Sequence, residues 1–455
     1  MTQQQTSELL AWLDANPHVT TVQLAICDLN GMMRGKLVPA AYARKALKDA
    51  IKLPNTALFF DVWGRDVVDS GYYLETGDAD GLIRPTERGF VQLGGEGNDT
   101  ATLPMAMYTE AGEPYLADPR NVLKSVLNKF TARGLRPVCA FELEFYLCER
   151  DFVGGNVRPT GVDPETGNRL RGGAGTYSFS NLDRIRRLLD DLYARCETLN
   201  IPAEAAISEA GVGQFEVNLR HSADALRATD EAFLFKCLVR QVAADHKLAA
   251  TFMAKPFGDD AGSGQHVHVS IIDGKDANVF ANGKEEGSPL LHQAIAGALK
   301  ALPDTMLFFA PHANSYRRYI DSTHVSGTAN WGYENRTTAI RIPNGPDAGR
   351  RIEHRVSGAD ANPYLVLAAI LGGIAHGIEH QLTPPAPAVG NAHNVEAPPI
   401  PRTWIDAITR MQSSTLAREL YGDLLPHLFA ACKMQELQTL NQIIPQAEYD
   451  AYFDV

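Results

Sequence analysis

Residues 139–149 read CAFELEFYLCE, an apolar run interrupted by two glutamates at alternate positions. Successive side chains of a β-strand point to opposite faces, so Glu142 and Glu144 share one face while Phe141, Leu143 and Phe145 share the other. Two carboxylates about 7 Å apart on one face repel each other unless something positive lies beside or between them. The run therefore predicts a strand with an apolar core face and a polar face built around a cation.

Four further stretches repeat the pattern. In GQFEVNL (213–219), Gln214, Glu216 and Asn218 alternate with Phe215, Val217 and Leu219. In GSGQHVHVSI (262–271), His266, His268 and Ser270 stand opposite Val267 and Val269. TTAIRIP (337–343) sets Arg341 opposite Ile340 and Ile342, and RRIEHRVSG (350–358) aligns Arg351, Glu353 and Arg355. A solvated sheet face alternates in the same way, but these polar faces carry Glu, His and Arg and no Lys. Carboxylates and imidazole suit a divalent metal, and arginines suit phosphate or carboxylate. Glu209, in SEAGVGQFE (208–216), has the wrong parity to share a straight strand face with Glu216. Gly211 and Gly213 supply a turn or bulge that returns it to the same side. Five glutamates and one histidine fit Mg2+ or Mn2+ better than structural zinc. Metal ions beside arginines are a means of stabilising a transferring phosphoryl group. Walker-type, GxGxxG and HExxH motifs are absent; GGAGTYS (172–178) lacks the lysine of a P-loop and reads as a loop near a nucleotide.

The chain has 455 residues, enough for two or three domains, and its 45% hydrophobic and 21% charged composition is that of an ordinary globular protein. A formal net charge of −12 argues against a nucleic-acid partner. Six cysteines without a CxxC pair read as reduced thiols of a cytoplasmic protein. The N-terminus MTQQQTSELLAWLDANP has no signal-peptide pattern. The apolar stretch NPYLVLAAILGGIAHGIEH (362–380) is interrupted by glycines and histidine, which predicts a buried helix and no membrane partner.

TSELLAWLDAN (6–16) predicts an opening helix, and TTVQLAICDLNG (20–31) a strand closed by an Asn-Gly turn. Turn-rich GGEGNDTATLPM (94–105) and TEAGEPY (109–115) mark a boundary, giving a small N-terminal domain over 1–113 and a larger one over 114–455. In the second domain, helices are predicted over 118–134, 180–200, 229–253, 288–303 and 414–437, the last broken at Pro426.

In order along the chain, FELEFYL, SEAGVGQFEVNL, ATFMAKPF with GSGQHVHVS, NSYRRY, ENRTTAIRIP and RRIEHRVSGADANPYL resemble the glutamine synthetase family. The resemblance is to its glutamate–amine ligase branch, which includes γ-glutamylputrescine and γ-glutamylpolyamine synthetases. It runs over residues 118–365 and more weakly over the N-terminal 110. It implies an α+β fold with a β-grasp-like N-terminal domain and a catalytic domain whose antiparallel strands form a half-barrel. It also implies two stacked hexameric rings, a dodecamer whose active sites are shared between neighbours. By position, Glu144, Glu209 and Glu216 would hold one metal ion and Glu142, His266 and Glu353 a second. Gly262, Arg318, Arg336 and Arg355 would surround glutamate and its γ-phosphate. Glu204, His268, Ser270, Arg341 and Arg351 would face ATP. The implied chemistry is phosphorylation of the γ-carboxylate of glutamate by ATP, then attack of an amine on the acyl phosphate, releasing ADP and phosphate.

Three positions bear on the nucleophile. Ammonia-using members carry a flap glutamate six residues after the arginine matched by Arg318, where this chain has His324. That change argues for another nucleophile and offers an imidazole as base. The family's NGSG is AGSG (261–264) here, so Ala261 removes a side chain while the Gly262 backbone remains. Asp61, in FFDVWG (59–64), matches an aspartate that attracts ammonium across a subunit boundary, and Trp63 beside it reads as core or as an amine-pocket wall. Three readings follow: a ligase joining glutamate to a primary amine or polyamine, glutamine synthetase proper, or a non-catalytic structural or sensory relative. A scaffold has no need to hold repelling carboxylates together, which disfavours the last.

Overall fold

The computed structural model describes residues 3–48, 51–95, 97–149, 157–161, 175–320 and 325–455. Its first sheet contains β1 (Thr21–Cys27), β2 (Met33–Pro39), β3 (Ile51–Pro54), β4 (Asp80–Pro85) and β5 (Thr100–Tyr108), in the order β2-β1-β5-β4-β3. β1 runs antiparallel to β2 and parallel to β5, the β-grasp-like arrangement expected of the N-terminal part. The helix Gln3–Ala15 buries Leu9 and Leu13, and its Trp12 stacks on Phe90 at 4.7 Å.

The second sheet contains β6 (Arg136–Glu149), β7 (Ala203–Ser208), β8 (Gln214–Leu219), β9 (Leu248–Thr251), β10 (Gln265–Ile272), β11 (Trp331–Tyr333), β12 (Ile340–Ile342) and β13 (Ile352–His354). Their order is β11-β12-β13-β10-β6-β8-β7, with β9 pairing the far end of β6. All these pairings are antiparallel except β11 with β12, and the sheet curls into a half-barrel. β6 is the opening stretch. Phe141, Leu143 and Phe145 are buried, while Glu142 and Glu144 lie on the half-buried concave side.

Helices pack behind the sheet. Pro119–Thr131 starts with Asp118 as N-cap, accepting from the backbone of Arg120 and Asn121, and Pro at its first position. Pro363–Glu379 is buried along nearly its whole length, and among the described residues no helix is long and apolar enough to cross a membrane. It lies against Pro289–Phe309 with little space between the backbones. A Cβ on Gly297 would stand 2.1 Å from the Gly373 carbonyl oxygen and 2.5 Å from Gly377 Cα.

Three helical expectations are corrected. The helix predicted over 229–253 covers Ala225–Asp245 and then stops. Lys247 takes φ +63, and Leu248–Thr251 joins β6 as β9, since an open strand edge satisfies more backbone groups than another exposed turn. The stretch 180–200 divides at Ile185 into Phe179–Arg184 and Arg186–Thr198. Pro426 does not break the C-terminal helix: it sits in the first turn of Leu424–Leu440, where its missing N–H has no intrahelical partner to lose. The break is at Gly422, φ +79. The helix Leu424–Leu440 fastens the N-terminal sheet, because buried Lys433 pairs with Glu436 at 3.0 Å and donates to Asn30, and Glu436 also accepts from the Val62 N–H.

Gly297→Ala is expected to lower stability by about 1–3 kcal/mol, the range of an overpacked core. The denaturant midpoint of the variant against the parent measures it, and an unchanged midpoint contradicts the close packing of these helices.

Candidate active site

Strand register assembles the site. Across β6 and β8, Glu144 stands directly opposite Glu216, and Glu142 opposite Asn218. Across β6 and β10, His266 stands opposite Glu142. Glu353 of β13 is opposite both His268 and Arg341. Side chains directly opposite in a ladder lie on the same face, so five strands deliver their polar residues to one concavity. Glu209 reaches it through the β7–β8 turn: its N–H donates to the Gln214 carbonyl at 3.0 Å, and Gly213 at φ +73 lets the chain reverse.

The cluster divides by charge. On one side, Glu142 accepts from His268 Nε2 at 2.9 Å and lies 3.3 Å from His266 Nδ1. Arg351 Nε donates to His268 Nδ1 at 3.1 Å, which places the His268 proton on Nε2, toward Glu142. Glu353 is held by Arg341 at 2.7 Å and by Arg355. Burial acts to raise the carboxyls of Glu142 and Glu353. For Glu142 the two histidine hydrogen bonds outweigh it; for Glu353, Arg355 foremost and then the histidines and Arg341 do so, and both groups stay below the usual carboxylate range. The other side holds Glu144, Glu209 and Glu216. Burial, then the Glu144 charge, pushes Glu209 up to about 7, and burial with Glu144, Glu142 and Glu209 pushes Glu216 up to about 9. Arg336 acts weakly against this at Glu209. Among the described residues, nothing supplies enough positive charge to settle three carboxylates. A divalent cation fits that need, and the all-oxygen donor set suits Mg2+ or Mn2+.

The donor groups form three-residue sets with atoms within 4.8 Å of one another: Glu142, Glu216 and His266, and Glu142, His268 and Glu353. The first takes Glu142 and His266 from one of the groups expected from the sequence and Glu216 from the other, and the second differs from an expected group by His268 in place of His266. Glu142 leans toward the histidines and Glu353 toward the arginines.

Gly264, absent from the expected site residues, lies at the junction. Its N–H donates to Glu144 at 2.8 Å, and a Cβ there would meet Arg318 Nη2 at 2.6 Å and His266 Nε2 at 3.1 Å. Arg318 is buried and donates to the Val356 carbonyl at 2.7 Å, with Gly262 packed against its stem. Glu334 was also missed; it receives Arg341 at 3.3 Å, and the ENR of ENRTTAIRIP was its only signal. Arg341 Nε and Arg355 Nε are buried without a hydrogen-bond partner among the described residues, so the arginine side retains donor capacity for an anion.

Other expected residues lie apart. Ser270 stands further along β10, opposite Val138, and Glu204 is exposed on β7. Asp61 is fully buried and accepts from the Trp63 and Arg65 N–H groups, from Arg65 Nε at 2.8 Å and from Gln435 Nε2 at 3.0 Å. Within one chain its carboxylate is thus engaged in holding its own loop. Trp63 is not core: it is 46% exposed, with Arg65 stacked on it at 4.8 Å. His324 and residues 172–174 of the glycine-rich loop lie outside the described residues. A cavity of about 1060 Å3 between the first sheet and the helix Ala225–Asp245 contains none of the acidic cluster.

Residues 116–452 match the family described as glutamine synthetase, catalytic domain. The chain belongs to the glutamine synthetase family. It is 36% identical to γ-glutamylputrescine synthetase of Escherichia coli over 445 residues, covering 98% of this chain and 94% of that one. It is 30% identical to glutamate–isopropylamine ligase of a Pseudomonas species, covering 96% of both. The solved structure of ligand-free GmaS superposes with a TM-score of 0.84 at 28% identity, over 98% of this chain and 99% of that one. Within the family the chain stands on the glutamate–amine ligase branch, and it is a ligase.

A pH dependence follows for this ligase. Glu209 and Glu216 hold protons in the folded, metal-free chain at pH values where the unfolded chain, with carboxyls near 4.5, has released them. Metal-free stability therefore falls as pH rises from about 5 to about 9. Adding Mg2+ is expected to raise the melting temperature more at pH 8 than at pH 6; a metal-free melting temperature that climbs across that interval contradicts the assignment.

Proposed function

We propose that this chain joins L-glutamate to a primary amine or polyamine through γ-glutamyl phosphate, consuming ATP. The observation that carries the reading is the charge division of the concavity: three mutually repelling carboxylates beside a second group already surrounded by histidine and arginine. A nucleotide triphosphate and a carboxylate are both anionic, and a site that brings them together needs cationic partners for each.

Glu144, Glu209 and Glu216 would hold one divalent ion and Glu142, His266 and Glu353 a second. Such ions offset charge on the phosphoryl oxygens when bound. Arg341, with its spare Nε, and Arg351, which fixes His268, are assigned to the ATP phosphates, with His268, Ser270 and Glu204 on the nucleotide side. Arg318, Arg336 and Arg355 are assigned to glutamate and its γ-phosphate, with the Gly262 backbone beside them. A γ-carboxylate oxygen attacks the terminal phosphorus and ADP leaves. The amine nitrogen then attacks the acyl carbon, phosphate leaves, and the nitrogen gives up a proton. Glutamate carboxylate alone is a poor electrophile, and the arginines stabilise the charge that builds on the transferring group.

The preference for an amine over ammonia rests on His324 in place of a flap glutamate and on the two amine-ligase relatives. A cytoplasmic enzyme of two hexameric rings completes the reading. The six cysteines are free thiols. Leu37, Val68 and Leu74 in the N-terminal part, and Ile443, Ile444 and Phe453 in the C-terminal part, are exposed apolar groups that subunit contacts would cover.

Phosphate release with glutamate, ATP and Mg2+ is the test, run across ammonia, putrescine, spermidine, ethanolamine and short alkylamines. An amine is expected to outperform ammonia; ammonia as the best substrate returns the chain to glutamine synthetase proper. Glu144→Gln is expected to lower kcat by more than the roughly 10–100-fold that outer-shell partners of a metal contribute, while sedimentation shows the parent's assembly.

A further inference from the structure

Away from the acidic concavity, three side chains converge at the end of the buried helix Pro363–Glu379. His376 lies in its last turn and His380 follows it, and the His380 N–H still bonds the His376 carbonyl at 3.0 Å. The helical turn is therefore intact between them, and residues four apart on such a turn share one face. Their ring centres are 4.3 Å apart. Glu419, from the helix Thr415–Tyr421, meets both: its Oε1 lies 3.2 Å from His376 Nδ1 and 3.8 Å from His380 Nε2. All three donor atoms fall within 4.8 Å of one another.

These spacings have a chemical meaning. Bonds of about 2.0–2.1 Å to a four-coordinate ion place neighbouring donors roughly 3.3 Å apart. The two separations to Glu419 are close to that edge without any movement of the backbone. His376 is nearly buried on the helix-packing side, whereas His380 and Glu419 are half exposed, so solvent can occupy a fourth position. Two imidazole nitrogens and one carboxylate oxygen form the donor set of zinc-type ions, in contrast to the carboxylate-rich concavity, which suits Mg2+ or Mn2+. Lys300 of Pro289–Phe309 is the cation that acts on His376, and the neighbouring Glu379 is paired with Arg133 at 3.1 Å, which leaves Glu419 as the anion of the set.

We propose that His376, His380 and Glu419 form a second metal site, selective for Zn2+ or a similar borderline divalent ion, that ties the helix Thr415–Tyr421 to Pro363–Glu379. The tie lies just before the interruption of the helix at Gly422, which precedes the helix fastening the N-terminal sheet. The site acts on stability; none of its three ligands belongs to the acidic cluster.

The test uses the full chain with saturating Mg2+, so that the carboxylate site is filled by its own ion. Zn2+ is titrated by equilibrium dialysis, and Co2+ is used separately as a spectroscopic probe. The parent is expected to bind one more Zn2+ per chain than His380→Ala or Glu419→Gln, to show the intense visible absorption of four-coordinate Co2+, and to gain melting temperature on adding Zn2+. Both variants change half-exposed positions, so they are expected to fold and to retain the parent's Mg2+-supported activity while weakening Zn2+ binding at least about tenfold. Equal Zn2+ stoichiometry and equal Co2+ spectra in parent and both variants would overturn the proposal.

Discussion

Glu144 and Glu216 face each other across neighbouring antiparallel strands, the position in a sheet where two like charges cost most. Glu209 is added to the same spot by the β7–β8 turn, and burial sharpens the conflict. The fold tolerates it because both strands are committed elsewhere. Phe141, Leu143, Phe145, Phe215 and Val217 are all buried on the opposite face. A shift of one residue in register would relieve the carboxylates and expose every one of those side chains. The core thus holds the acidic site in place, and the repulsion stays available for a cation to relieve.

The other half of the concavity is built on the reverse principle. Glu142 and Glu353 are already satisfied by His266, His268, Arg341 and Arg355. A cation arriving there would compete with protein donors, while arginine nitrogens released or left unpaired could turn to an anion. One concavity therefore presents an anionic end and a cationic end. That polarity is what a reaction between a polyphosphate and a carboxylate requires.

The constraint extends outward through close backbone contacts. Gly264 admits Arg318 and His266 against its backbone because it has no Cβ, and Gly297 with Gly373 and Gly377 lets two long helices meet behind the sheet. At the C-terminus, the buried Lys433–Glu436 pair is saturated by Asn30, the Val62 N–H and nearby His312. Losing one partner there would strand a buried charge, so the pair ties the first sheet to the second body of the molecule.

Much of this was legible in the chain itself. Period-two alternation identified β6, β8 and β10 and put Glu142 and Glu144 on the polar face of the first, Glu216 on that of the second and His266 on that of the third, since side-chain direction in a strand depends only on parity. Helix ends were less legible: Pro426 reads as a breaker unless one knows it falls in a first turn, and Leu248–Thr251 becomes a strand only because the edge of β6 is there to receive it. Cross-strand partners were not legible from alternation, and only the family resemblance grouped residues of different strands. That Glu144 meets Glu216 and Glu353 meets Arg341, that Arg318 and His266 both close on Gly264, and that His376 and His380 find Glu419 from another helix are facts of register and packing. Sequence alone determined which residues share a face; only the tertiary structure decided which faces confront each other, because that choice is made by the burial of the apolar side and not by the polar residues it brings together.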